Sequence, residues 1–190
     1  MLQYSDVVCL QEVEPELWAM LERHVPGACS FVFAPHPNRP DGVAIISRLE
    51  SIGPQSPITV LGYGAAFDEY FIEGEIVTVA SMHLPFNDDP TWPSAILRDV
   101  LGFFSRSEFA VIGLDANAPW ASPVFDALRQ RDWMGGDTEP TCYSNGRWKV
   151  SDHVVARGGP VHSIAGAFVE APPTRRWPSD HLPVTSVVSF

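Results

Sequence analysis

Basic residues are scarce. Twelve Lys and Arg stand against 23 Asp and Glu, a formal net charge of −11 over 190 residues. A domain that grips nucleic acid by neutralising phosphates is basic on at least one face, so the charge argues against tight, non-specific nucleic-acid binding. It leaves open phosphodiester cleavage in which metal ions offset the charge locally. Cysteine is also rare: Cys9, Cys29 and Cys142 are odd in number and fit neither a Cys-x-x-Cys pair nor a finger spacing. That pattern points to a reducing, intracellular setting. Cys9 and Cys29, in apolar runs, read as small core residues. There is no run of about 20 apolar residues to span a membrane, and no basic-then-apolar leader opens the chain. With no repeat or linker either, residues 1–190 read as a single domain, long enough to bury a substantial core.

What is present in quantity is punctuation. Eighteen prolines and fourteen glycines break the chain into short segments, as expected of many strands joined by loops. "DVVCLQEV" (6–13), "CSFVFAP" (29–35), "GVAIISR" (42–48) and "FAVIGLDAN" (109–117) read as strands. Residues 65–74 and 75–84 read as a hairpin about Glu73-Gly74-Glu75, and 147–157, 161–171 and 183–190 as late strands. Pro15 at a first helical position opens a helix to about His24, with Leu17, Met20, Leu21 and Val25 on its apolar face. Residues 90–105, with Asp89 as cap, and 122–131 read as two further helices. Eight or nine strands with three inserted helices describe an α+β sandwich: two mixed β-sheets face to face with helices outside.

Four polar positions recur at the carboxyl end of an apolar strand or in the adjoining loop. They are Glu12, His83, the pair Asp115 and Asn117, and Asp180-His181 before the last strand. If those strands lie side by side, the groups converge on one rim, where carboxylates can bind a hard divalent cation and imidazoles can bond a phosphoryl oxygen or move protons. Each residue alone has an ordinary structural reading: a solvated strand end, a hydrogen-bonded histidine, an Asp-Asn turn, a capped loop. Their order and shared placement favour a site.

"DVVCLQEV", "SMHLPF", "GLDANAPW", "VSDHVVAR" and "PSDHLPV", in that order, resemble the endonuclease/exonuclease/phosphatase superfamily over nearly the whole chain. The apurinic/apyrimidinic endonuclease and retrotransposon-endonuclease branches fit well. The resemblance implies a DNase I-like, four-layer α/β/β/α sandwich and a Mg2+-dependent phosphodiesterase, with Mn2+ as the other candidate metal and nucleic acid as the substrate. It assigns Glu12 and Asp180 to the metal and His83 to the scissile phosphate. Asp115 would orient or deprotonate the attacking water, Asn117 would hold water or phosphate, and His181 would bond the phosphoryl oxygen. The tripeptide Ser-Asp-His occurs twice, and the resemblance separates the copies. Asp152 of the first pairs with His181 of the second, while His153, one residue on along a strand, points to the opposite face and is structural. Trp120 and Trp148 could stack on a substrate base or sugar, but an aromatic beside a strand is more often core, so neither is counted among the site residues.

The resemblance also implies an opening strand carrying an Asn, then a helix, before "DVVCLQEV"; only Met1 to Ser5 precede it here. The expected domain is therefore N-terminally truncated relative to that pattern. Two rivals stand beside the phosphodiesterase: a catalytically impaired remnant serving as a binding module, and a phosphatase acting on a small phosphate ester or lipid headgroup.

Overall fold

The computed structural model describes residues 5–25, 27–53, 56–87, 89–105, 107–135, 140–164, 181–182 and 184–189. The elements in chain order are β1 (Val7–Val13), α1 (Pro15–His24), β2 (Ser30–Pro35), β3 (Gly42–Ser47), β4 (Ser56–Val60), β5 (Tyr63–Ile72), β6 (Glu75–His83) and α2 (Thr91–Leu101). Then come β7 (Phe109–Asp115), a 3-10 turn at Pro123–Phe125, α3 (Asp126–Arg129), β8 (Met134–Gly135), β9 (Cys142–Ser144), β10 (Arg147–Lys149), β11 (Asp152–Arg157), β12 (Val161–Ile164) and β13 (Thr185–Val188). One sheet runs β1-β3-β2, antiparallel among its described strands. The larger runs β4-β5-β6-β7-β11-β8 and is mixed, its β6–β7 pair being parallel. A parallel neighbour needs a crossover, and α2 supplies it.

Alternation along each strand sorts side chains between two cores. Ala66, Tyr70, Val77 and Val79 face the smaller sheet and meet Val32, Ala34, Val43 and Ile45. Ala65, Phe67, Ala80, Met82, Ile112 and Leu114 face away, onto Ile96, Leu97 and Val100 of α2 and Leu128 of α3. On the far side of the smaller sheet, α1 lays Trp18 on Val13, Ala44 and Ile46. The result is the expected α/β/β/α order of layers. No helix among the described residues is long and apolar enough to cross a membrane.

Several local expectations change. The inward face of α1 is Trp18 with Leu21 and Val25 beside it, whereas Leu17 and Met20 are exposed. An indole covers more apolar area than either, and Trp18 stacks on Phe33 at 5.4 Å while meeting Phe31 edge-on at 5.8 Å. Cys29 is exposed rather than core. The described strands number thirteen, because β4, β8 and β9 are too short to show a period in sequence. The stretch 147–157 is two strands in different sheets. Its first part pairs with β9 across Asn145-Gly146, both at positive φ (52° and 76°), a two-residue turn that Asn-Gly favours. The 161–171 strand is described only to Ile164, and its remainder lies outside the described residues.

β1 is pressed closely onto the larger sheet. Gln11 donates to the Ser81 hydroxyl at 3.0 Å, and that hydroxyl donates to the Leu10 carbonyl at 2.9 Å. Cys9 sits over Gly113, its thiol pushed up to about 12 by burial and hence inert. A Cβ on Gly113 would lie 2.6 Å from the Cys9 Cβ. Gly113→Ala is therefore expected to lever β1 away and cost about 1–3 kcal/mol, read from the urea midpoint. An unchanged midpoint would show that the strands are less tightly apposed.

Candidate active site

The register of the larger sheet builds the core of the site. His83 ends β6 and pairs with Asp115, which ends β7; Asp115 pairs on its other side with Asp152, which begins β11. Directly opposed residues on neighbouring strands project from the same face. The three form a row at the rim, on the face that meets the smaller sheet. His83 Nε2 lies 3.6 Å from Asp115 Oδ2.

Glu12 reaches this row from the other sheet. The β1–β3 register shifts between Leu10 and Val13, a bulge, and Glu12 sits in it at φ 54°. A bulge re-aims a side chain, and the left-handed conformation is costly for Glu, so the surrounding structure holds it there. Its carboxylate comes to 4.0 Å from His83 Nδ1 and pairs with Arg39 at 3.1 Å. Asn117 is also left-handed (φ 52°), which Asn tolerates. Its backbone N–H donates to Asp115 Oδ1 at 2.9 Å, and its amide donates to the Leu84 carbonyl at 3.0 Å and lies 3.4 Å from His83 Nε2.

His181 enters over Asp152. Its Nδ1 is 2.9 and 3.1 Å from the two carboxylate oxygens and 3.9 Å from Asp115 Oδ2. A backbone bridge to Cys142 and the Leu182 N–H to the Thr141 carbonyl at 2.7 Å place it. Thr141 also donates its hydroxyl to Asp152 Oδ2 and accepts from the Asp152 N–H at 3.2 Å. Asp152 is thereby held from below while it orients the ring. The neighbouring His153 points to the opposite core, 1% exposed, with Nε2 2.8 Å from the Ala118 carbonyl and its ring 4.9 Å from Phe125. Asp180 lies outside the described residues. Trp120 packs on Phe125 at 4.8 Å as part of that core, and Trp148 meets Tyr143 edge-on at 5.2 Å.

Burial dominates the electrostatics. The Asp115 carboxyl is raised from 3.8 to about 7, first by burial and then by the Asp152 and, to a lesser degree, Glu12 charges, against the pull of His181 and the Asn117 N–H. Burial likewise lowers His83, with the Glu12 charge opposing it.

Among the described residues, two donor sets could hold a divalent cation: Glu12, Asp41 and His83, and Asp115, Asp152 and His181, each offering ligand atoms within 4.8 Å of one another. Carboxylate and imidazole donors suit such an ion. Arg39, Asp41 and Thr141 are absent from the sequence-based candidates. Arg39 and Asp41 stand in the β2–β3 connection, "HPNRPDG", which reads as an ordinary turn.

Comparison with known proteins gives three results. The model of the endonuclease/exonuclease/phosphatase family matches residues 1–181. Among solved structures, TDP2 from D. rerio complexed with a single-strand DNA product superposes with a TM-score of 0.73 at 16% identity, over 95% of this chain and 84% of that one. A mannosyl-6-phosphatase from Bacteroides thetaiotaomicron gives 0.76 at 14%, over 100% and 88%. An endonuclease/exonuclease/phosphatase family protein from Leptotrichia buccalis gives 0.76 at 13%, over 99% and 89%. At these identities the structural likeness establishes the fold. No curated protein sequence matches the chain significantly.

Proposed function

The chain belongs to the endonuclease/exonuclease/phosphatase family, whose members hydrolyse phosphate esters, and from that premise we propose that it is a divalent-cation-dependent phosphodiesterase acting on nucleic acid. The observation that carries the reading is the row His83, Asp115 and Asp152, with His181 hydrogen-bonded to Asp152 at 2.9 Å. A carboxyl raised to about 7 is half ionised near neutral pH, the condition in which a general base combines availability with basicity. Asp115 takes a proton from the attacking water as its oxygen bonds to phosphorus, and the bond from phosphorus to the leaving ester oxygen breaks, its electron pair taking up a proton from solvent to give the alcohol. With Nδ1 committed to Asp152, Nε2 of His181 is the nitrogen that meets a phosphoryl oxygen and steadies its growing charge. His83, its affinity for a proton lowered by burial, contacts the phosphate as a neutral N–H donor. Asn117, anchored to the Leu84 carbonyl, lines the place of the water or phosphate. Mg2+ or Mn2+ held by Glu12 and Asp180 would supply charge neutralisation at the phosphoryl oxygens.

A second reading, hydrolysis of a small phosphate monoester, is favoured by the net charge of −11, which repels a polyanion. Incubating the full chain and Mg2+ with labelled single-stranded DNA, duplex DNA, RNA and p-nitrophenyl phosphate separates the two. Cleavage of an oligonucleotide above monoester turnover is the expected result. Monoester turnover alone would favour the second reading, and no turnover on any substrate would favour the catalytically impaired remnant.

A further inference from the structure

Asp41 is the anomaly beside the site. Its residue is 8% exposed, yet its Oδ1 has no hydrogen-bond partner among the described residues. An unpaired buried carboxylate oxygen is costly and implies a group that completes it. The oxygen's residue lines a cavity of about 10 Å³ shared with His36, Gly64 and His83, room for one water or one ion. His36 contributes a second buried polar atom without a partner, Nε2, while its Nδ1 accepts from the Asn38 N–H at 3.0 Å. The other Asp41 oxygen, Oδ2, meets Arg39 at 2.6 Å, and the same guanidinium nitrogen lies 3.1 Å from Glu12 Oε1. A single side-chain cation thus bridges two carboxylates that, with His83, offer ligand atoms within 4.8 Å of one another.

We propose that Asp41 is a ligand of the divalent cation at this site, joining Glu12 and Nδ1 of His83, whose Nε2–H still faces the phosphate, and that Arg39 is the built-in counter-cation which that ion displaces. The inference rests on the metal dependence proposed above and extends it to two residues of the β2–β3 connection. Electrostatics require the exchange. A guanidinium and a divalent ion cannot share two carboxylate oxygens at this spacing, because like charges a few ångströms apart repel strongly away from bulk water. Arg39, 41% exposed at its side chain, can swing outward; Asp41, 10% exposed, cannot. Cation binding is therefore opposed by the energy of the Arg39 bridge. Removing Arg39 should tighten binding, whereas removing a ligand charge should weaken it.

The test is titration of the metal-free full chain with Mn2+, reading free Mn2+ by electron paramagnetic resonance. Wild type is compared with Asp41→Asn, Glu12→Gln and Arg39→Met, each checked for native circular dichroism. The expected result is binding by wild type, weakened at least about 10-fold in Asp41→Asn and Glu12→Gln and tightened severalfold in Arg39→Met. Arg39 is partly exposed, so that variant keeps the test decisive if Asp41→Asn does not fold. Wild-type affinity in Asp41→Asn alongside loss in Glu12→Gln would overturn the role of Asp41, and wild-type affinity in Arg39→Met would overturn the exchange. Absence of Mn2+ binding by wild type would instead count against the metal dependence itself.

Discussion

Replacing Asp115 by Asn is expected to slow phosphoester hydrolysis by about 10²–10⁴-fold, the usual contribution of a positioned general base, while making the metal-free protein more stable at pH 8. The two effects share a cause. The folded protein raises this carboxyl from 3.8 to about 7, so it holds the proton more tightly than the unfolded chain does. Well below pH 3.8 both states are protonated and the substitution should be neutral, and at pH 4 only a small part of the effect is present. The penalty for ionising Asp115 grows as pH rises through that interval and is complete above about 7. A shift of that size corresponds to at most about 4 kcal/mol. The Asn117 N–H keeps an acceptor in Asn, so little is lost in exchange. Urea midpoints of wild type and variant at pH 4 and pH 8 read it directly. A gain that is equal at both pH values would place its origin elsewhere than in this ionisation.

His181→Ala and Asp152→Asn should each reduce the rate by about 10²–10⁴-fold, and together by little more than His181→Ala alone. In the proposed mechanism Asp152 positions His181: its carboxylate grips Nδ1 of His181 through both oxygens and is itself fixed by the Thr141 hydroxyl. Once the ring is gone, the carboxylate has nothing left to orient, so the two losses overlap. Thr141→Val, which removes the supporting hydroxyl, should give a smaller loss of the same kind. Initial rates over the double-mutant cycle provide the check. Additive losses would mean that Asp152 and His181 act independently.

The layered fold was legible because its strands are apolar runs bounded by Pro and Gly, and because the ordered motifs select one architecture. The family resemblance separated the two Ser-Asp-His copies, and strand alternation turned His153 away; in the structure Asp152 meets His181 while His153 faces the opposite core. Other features depend on tertiary approach and leave no local pattern. The strain at Glu12 comes from a bulge set by pairing with β3, not by its own neighbours in sequence. Thr141 acquires its role only because β9 lies beside both Asp152 and His181. Arg39 and Asp41 occupy a turn whose composition is unremarkable until it folds against β1. On α1, periodicity alone could not rank Trp18 above Leu17 and Met20; the Phe31 and Phe33 rings beneath it do.

Cation-dependent phosphodiester hydrolysis at this rim is the activity these residues should support together. Turnover of bis-p-nitrophenyl phosphate by the full chain, with Mg2+, after chelation with EDTA and after Mg2+ is restored, tests it most directly, with Asp115→Asn/His181→Ala as the control. The expected result is turnover that chelation abolishes, that Mg2+ restores, and that the double variant lacks. Turnover that survives chelation, or a wild-type rate no higher than that of the variant, would contradict it.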